Sequence, residues 1–279
     1  MTSGTSEAFE GTIPVPGGTL WAQWAGEGPG VVLIHAGIAD ARMWDPQWDT
    51  LVSLHRTARY DTRGFNRTRT EAVPFSNRAD VIAVMDAAGI ERAVVVGCSR
   101  GGAIALDTAL EYPNRVSGLV WVCGGVSGAE VDDLPEATAA FERQEGLYES
   151  KDWDAMADLD VEIWIDGIGQ RTGRADASVR ALVKQMCLDS YTKELEEGEP
   201  IVLDPPAVGR LGDLRIPVLA IVGLLDLPST AAMASVLVDG APYARRIDLP
   251  DVAHLPSLER PTWFTGTLRS FLDEVDSAG

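Results

Sequence analysis

Basic residues are scarce in this chain. Lys and Arg total 23 against 42 Asp and Glu, a net charge of -19 over 279 residues. No basic stripe is present to neutralise phosphates or to hold an anionic lipid surface, which argues against nucleic-acid and membrane partners. The acidity reads as a solvated surface. Cysteine is scarcer still. Cys98, Cys123 and Cys187 have neither paired nor metal-like spacing, which predicts free thiols in a reducing compartment and no metal or other cofactor. No apolar run is long enough to span a bilayer. The first ten residues carry neither the basic nor the apolar region of a secretory signal, so a cytoplasmic location is expected. Internal repeats and low-complexity tracts are missing too. What the chain does have is apolar mass: 46% of its residues are hydrophobic, enough for a sizeable packed core.

The most informative stretch begins at Ala93 and runs through Val94, Val95 and Val96 to Gly97, Cys98, Ser99, Arg100, Gly101 and Gly102. A β-branched apolar run of this kind suits a central parallel strand covered on both faces. Gly97 and Gly101 flank Ser99 at G-x-S-x-G spacing. A strand that turns directly into a helix brings backbone segments close together around a strained residue, and glycines leave the room. The hydroxyl of Ser99 is then raised above the sheet. The next N–H, on Arg100, lies at a helix N-terminus suited to negative charge.

Around this turn the chain alternates strand and helix. Short strand-like segments at 10–15 and 20–24, separated by Pro16, Gly17 and Gly18, predict an N-terminal hairpin. Buried strands are expected at 31–34, 57–60, 116–122, 216–222 and 244–249. Helices are expected at 43–54, 77–89, from Ser99 to about Tyr112, at 230–238 and at 262–275. The alternation predicts an α/β fold: a mostly parallel eight-stranded sheet with helices on both faces. It stops between 127 and 206, where the chain is acidic and helical. This stretch is expected to be a helical cap over the sheet edge, with residues 1–126 and 207–279 forming the core.

A serine nucleophile needs a base, and the base needs an orienting group. Only three histidines compete for the role. His35 ends the first parallel strand in a loop that looks structural, and His55 opens a strand from the opposite edge. His254 follows the last strand, at the carboxyl edge where open α/β sheets bind ligands. Asp226, at the end of the 216–222 strand, is the expected acid, and Asp132 is the alternative. Two N–H groups must meet the developing oxyanion. Arg100 supplies one. The loop His35-Ala36-Gly37 supplies the other, from Gly37 or else Ile38. Trp44, Trp164 and Met186 are candidate substrate contacts. Arg100 is expected to pair with a nearby acid more readily than with a substrate carboxylate.

With these pieces assembled, the chain resembles the α/β-hydrolase fold superfamily. The matching motifs are His35-Ala36-Gly37, Asp61-Thr62-Arg63-Gly64-Phe65, Gly97-Cys98-Ser99-Arg100-Gly101-Gly102, Gly223-Leu224-Leu225-Asp226 and the stretch from Val252 through His254 to Glu259 and Pro261. The order Ser99, Asp226, His254 is also that of this fold. The insertion resembles the cap of small esterases and lactonases such as 3-oxoadipate enol-lactonase. Two positions depart from the usual pattern. Ala36 stands where a glycine commonly follows the histidine, and Arg100 replaces the usual apolar or glutamine neighbour of the nucleophile. The resemblance implies a Ser-His-Asp hydrolase acting on an ester or lactone of a small molecule, as a monomer or homodimer. Haloalkane dehalogenases and epoxide hydrolases carry an aspartate where this chain has Ser99, so their chemistry is disfavoured. A cyclase, a lyase, a C–C hydrolase or a ligand sensor on the same fold remains compatible, because fold does not fix reaction.

Overall fold

The computed structural model describes residues 7–131, 135–191 and 198–278. Six strands make the parallel part of the sheet: β3 (Gly30–Ile34), β4 (Arg56–Tyr60), β6 (Ala93–Cys98), β7 (Val116–Val122), β8 (Val218–Gly223) and β9 (Ala244–Leu249). The hairpin of β1 (Phe9–Val15) and β2 (Gly18–Ala25) adds antiparallel strands at one edge, with β2 against β4. The spatial order is β1-β2-β4-β3-β6-β7-β8-β9. A ninth strand, the two-residue β5 (Arg69–Thr70), pairs with β2 and extends the expected eight.

Side-chain alternation along the parallel strands separates two cores. Val32, Ile34, Val95, Leu119 and Trp121 face α2 (Asn77–Ala87), α3 (Arg100–Glu111) and α7 (Pro228–Gly240). Val31, Leu33, Val94, Val96 and Val120 face α1 (Asp45–Val52), the short α8 (Pro256–Glu259) through Leu258, and α9 (Pro261–Ala278), which contributes Phe264, Leu268, Phe271 and Leu272. Helices therefore cover both faces. The expected helix at 43–54 divides in two. A 3-10 turn over Ala41–Trp44, capped by the Asp40 carboxylate, precedes α1, whose start carries Pro46.

Between β7 and β8 the described residues form α4 (Pro135–Ser150), α5 (Trp153–Asp160), a π-helical stretch over Val161–Gly167 and α6 (Ala177–Tyr191). This helical insertion shares the second core through Ala157, Val161, Ile165 and Val183. Asp132 lies outside the described residues. No helix among those described is long and apolar enough to cross a membrane.

The strand-to-helix turn at Ser99 shows why its glycines are needed. A Cβ on Gly97 would run into the carbonyl oxygen of Gly101, and one on Gly101 would run into the carbonyl of Ile34 and lie 2.6 Å from that of His35. The first belongs to the opening turn of α3 and the second to the end of β3, so neither can move without shifting a packed element. Gly97→Ala is expected to cost about 3 kcal/mol and to lower the thermal midpoint by roughly 10 °C, measured by circular dichroism.

Candidate active site

Ser99 sits at φ 55 and ψ -120, a backbone conformation L-residues seldom adopt. The surrounding structure holds it there. Its N–H donates to the Val122 carbonyl (2.8 Å), and its own carbonyl accepts from Ala103 N–H (3.1 Å). The side chain opens into a cavity of about 610 Å³ that His254 also lines.

His254 is fixed from several directions. Its backbone N–H donates to the Trp164 carbonyl (3.1 Å), and its carbonyl faces Cys98 Sγ (3.5 Å). The loop carrying it is tied down by Glu259, a buried carboxylate that accepts from the N–H groups of Ala253 (3.1 Å) and Leu255 (3.3 Å). Arg174 Nη2 pairs with Glu259 at 2.5 Å. Burial pushes the Glu259 carboxyl up, against the opposing pull of Arg174. On the ring, Nδ1 lies 2.6 Å from Asp226 Oδ2. An ionised carboxylate can only accept, so the proton of this bond sits on Nδ1 and leaves Nε2 to take one. Asp226 is in turn held by the Leu227 N–H, which donates to its Oδ1 at 2.8 Å. Both side chains are buried. Among the described residues no hydrogen bond joins Ser99 Oγ to His254, and such contacts tighten when substrate arrives.

The loop after β3 is equally constrained. His35 is fully buried, and burial pushes its pKa below the ordinary value. The neutral ring uses both nitrogens. Nε2 accepts the Thr62 N–H (2.9 Å), so Nδ1 donates to the Ala36 carbonyl (2.8 Å). Ala36 N–H points at Met43 Sδ (3.3 Å). A Cβ on Gly37 would lie 3.9 Å from that of Arg100, so this loop faces the start of α3 directly. The side chain of Arg100 runs away along Thr62 (2.5 Å to Oγ1) and Asn77 (3.3 Å to Oδ1), with its guanidinium 5.1 Å from the Phe65 ring.

Cys123 closes the constellation from below. It follows β7 at φ 44 and accepts the Gly223 N–H at 3.5 Å. Its Sγ and the ligand atoms of Asp226 and His254 lie within 4.8 Å of one another. Those three donors do not make a good metal site here. Asp226 and His254 are already bonded to each other, and burial pushes the Cys123 thiol well above its ordinary pKa.

Of the candidate substrate contacts, the structure brings only Trp164 to the cavity. Its ring packs 4.5 Å from that of His254. Trp44 and Met186 require correction. Trp44 is fully buried beside Phe264 (6.0 Å between ring centroids), because the 3-10 turn directs it onto α9. Met186 is fully buried with Val183 on the inward face of α6. The wall is built instead by Phe141, Leu227, Met233, Ala103 and the pair Gly124 and Gly125. Leu227 was missed although its place beside Asp226 could have pointed to it, while Phe141 and Met233 look like ordinary apolar helix positions.

Comparison with known proteins gives a consistent pattern. Residues 31–267 match the model of the family described as the alpha/beta hydrolase family. A pimeloyl-[acyl-carrier protein] methyl ester esterase of Pectobacterium atrosepticum is 26% identical over 253 residues, covering 89% of this chain and 97% of that protein. Among solved structures, Est816, an N-acyl homoserine lactone degrading enzyme, superposes with a TM-score of 0.72 at 27% identity, over 94% of this chain and 100% of the other. The enol-lactonase of Burkholderia xenovorans gives a TM-score of 0.75 at 23% identity, over 94% and 100%.

Proposed function

The chain belongs to the alpha/beta hydrolase family, and on that premise we propose that it is a serine hydrolase cleaving a small carboxylic ester or lactone. The observation that carries this reading is the 2.6 Å contact between His254 Nδ1 and Asp226 Oδ2, beside a cavity shared with Ser99. Ser99 Oγ attacks the substrate carbonyl while His254 Nε2 takes its proton. The N–H groups of Arg100 and Gly37 receive the oxyanion at the positive end of α3. The tetrahedral intermediate collapses, and His254 returns the proton to the leaving alkoxide. For a lactone this oxygen stays on the acyl chain. Water, deprotonated by the same histidine, then attacks the acyl-enzyme; the second tetrahedral intermediate expels Ser99 Oγ, which takes the proton back from His254, and the acid is released. Asp226 keeps the imidazole in the required tautomer and faces its positive charge. Each step uses only these residues and water.

Two observations support this substrate class, the cavity and the relatives. A space of about 610 Å³ walled by Phe141, Trp164, Leu227 and Met233 suits a compact, largely apolar substrate. The similar proteins named above act on a methyl ester and on lactones. The helical insertion serves as the roof through Phe141 and Trp164. Short-chain p-nitrophenyl esters are expected to turn over with kcat/KM on the order of 10⁴ M⁻¹s⁻¹ or more, followed by nitrophenolate release. A protein whose Ser99 reacts with a fluorophosphonate but which turns over no ester or lactone would instead be a C–C hydrolase, cyclase or lyase.

A further inference from the structure

Two buried carboxylates near the base are held in the same way, and an arginine joins them. Glu259 ends α8, and its side chain accepts from the N–H groups of Ala253 (3.1 Å) and Leu255 (3.3 Å), the residues on either side of His254. Asp166, near the end of the π-helical stretch, does the same within the helical insertion. Its buried side chain accepts from the N–H groups of Gly173 (2.8 Å) and Ala175 (3.1 Å), the residues on either side of Arg174. Arg180 of α6 pairs with the same carboxylate. The Arg174 guanidinium then bridges the two arrangements. Its Nη2 donates to Glu259 Oε2 at 2.5 Å and to the Ile165 carbonyl at 2.6 Å. Its Nε donates to the Asp166 carbonyl at 2.7 Å, and its Nη1 to the Asp251 carbonyl at 3.0 Å. One side chain thus fastens the insertion to the loop that carries His254.

The placement of these bonds bears on the reaction. Ile165 and Asp166 directly follow Trp164, whose carbonyl accepts the His254 N–H (3.1 Å) and whose side chain lines the cavity. Asp251 and Glu259 flank His254 along the chain. His254 itself lies between β9 and α8, outside any helix or strand, so its backbone is placed by bonds of this kind. Two amide N–H groups can be met by a neutral acceptor. A full charge buried there is costly unless it is paired. What the charge adds is a strong, directional grip on a cation. The guanidinium suits that role, because its planar fork presents several N–H groups at fixed angles and can hold carbonyls and a carboxylate at once.

We propose that Arg174 is a positioning residue of the active site, acting through Glu259 and the Ile165 and Asp166 carbonyls to hold the His254 loop against the helical insertion. The proposal rests on His254 being the base, but its first test does not need turnover. The chain has three histidines, so the ring resonances of His254 can be followed by long-range proton–nitrogen NMR. Arg174→Met is expected to shift them while leaving those of His35 and His55 in place. With an ester substrate it is expected to lower kcat about 10-fold with KM changed less than about 3-fold, since the misplacement acts on the reacting geometry. Two further variants separate geometry from charge. Arg174→Lys keeps the charge but cannot span the same set of acceptors, and is expected to shift His254 part of the way and to lower kcat about 3-fold. Arg174→Met combined with Glu259→Gln removes both charges while an amide oxygen still meets the two N–H groups. That double variant is expected to melt closer to wild type than Arg174→Met alone, with kcat still about 10-fold down. If Arg174→Met does not fold, these two carry the test. His254 resonances at their wild-type positions in the folded variants would overturn the proposal. So would a kcat restored to wild type in the double variant, because Arg174 would then only neutralise Glu259. Absence of ester turnover in the wild type, with the His254 shifts as expected, would count against the proposed reaction and not against Arg174.

Discussion

Ser99→Ala is expected to lower kcat for a p-nitrophenyl ester by about 10⁶-fold, close to the level left by binding and the oxyanion donors alone. The magnitude follows from what the side chain supplies. In the proposed reaction the hydroxyl is the only group that forms the acyl-enzyme, so its removal would take away the covalent route entirely and leave His254 with no alcohol to activate. The fold should tolerate the change. Ser99 is held at φ 55 by its backbone bonds to Val122 and Ala103, and its Oγ makes no hydrogen bond among the described residues. Relief of steric strain is small, because alanine also carries a Cβ at this positive φ. The thermal midpoint should therefore stay within a few degrees of wild type, and a large activity loss with an intact melt separates a chemical role from a structural one.

Asp226→Asn is expected to be the second largest effect, about 10⁴-fold in kcat with little change in KM. The carboxylate is an acceptor only, and it faces Nδ1 at 2.6 Å. An amide turned to donate at that position favours the tautomer with its proton on Nε2, the nitrogen that accepts from Ser99 in the proposed reaction. The base is then blocked although every heavy atom stays in place. The Leu227 N–H still finds an acceptor in the amide oxygen, so the loop after β8 keeps its shape. Asp132→Asn is the control and should leave turnover near wild type. A loss in that variant with none in Asp226→Asn would reassign the acid.

Much of this site is legible in the sequence because its backbone demands are severe. The turn at Ser99 requires glycine at 97 and 101, where any Cβ meets a carbonyl. The scarcity of histidine leaves His254 with little competition, and its strand-end position pairs it with Asp226. The parallel strands are readable for a similar reason, since a strand buried on both faces needs a continuous apolar run such as Val94 to Val96. Strand ends are less so. β8 begins at Val218 and not at Ile216, since Pro217 has no N–H to give the ladder, although its carbonyl still accepts from Leu119 at 3.0 Å.

The substrate wall is where sequence reasoning falls short. An apolar side chain at helical spacing looks the same whether it fills a core or lines a cavity. Trp44 and Met186 fill the core, while Phe141 and Met233 line the cavity. The difference depends on how a 3-10 turn rotates one helix start and how the insertion docks, and neither leaves a periodic signal. The π-helical stretch is equally silent. Asp160 reads in an acidic helix as one more solvated charge, and only packing reveals it as fully buried.

The most direct measurement is the mass of the protein after reaction with a fluorophosphonate, followed by peptide mapping. The account predicts one added phosphonyl group, located on Ser99, and no addition to Ser99→Ala. A group attached elsewhere in the wild type, or one that persists in Ser99→Ala, would contradict it.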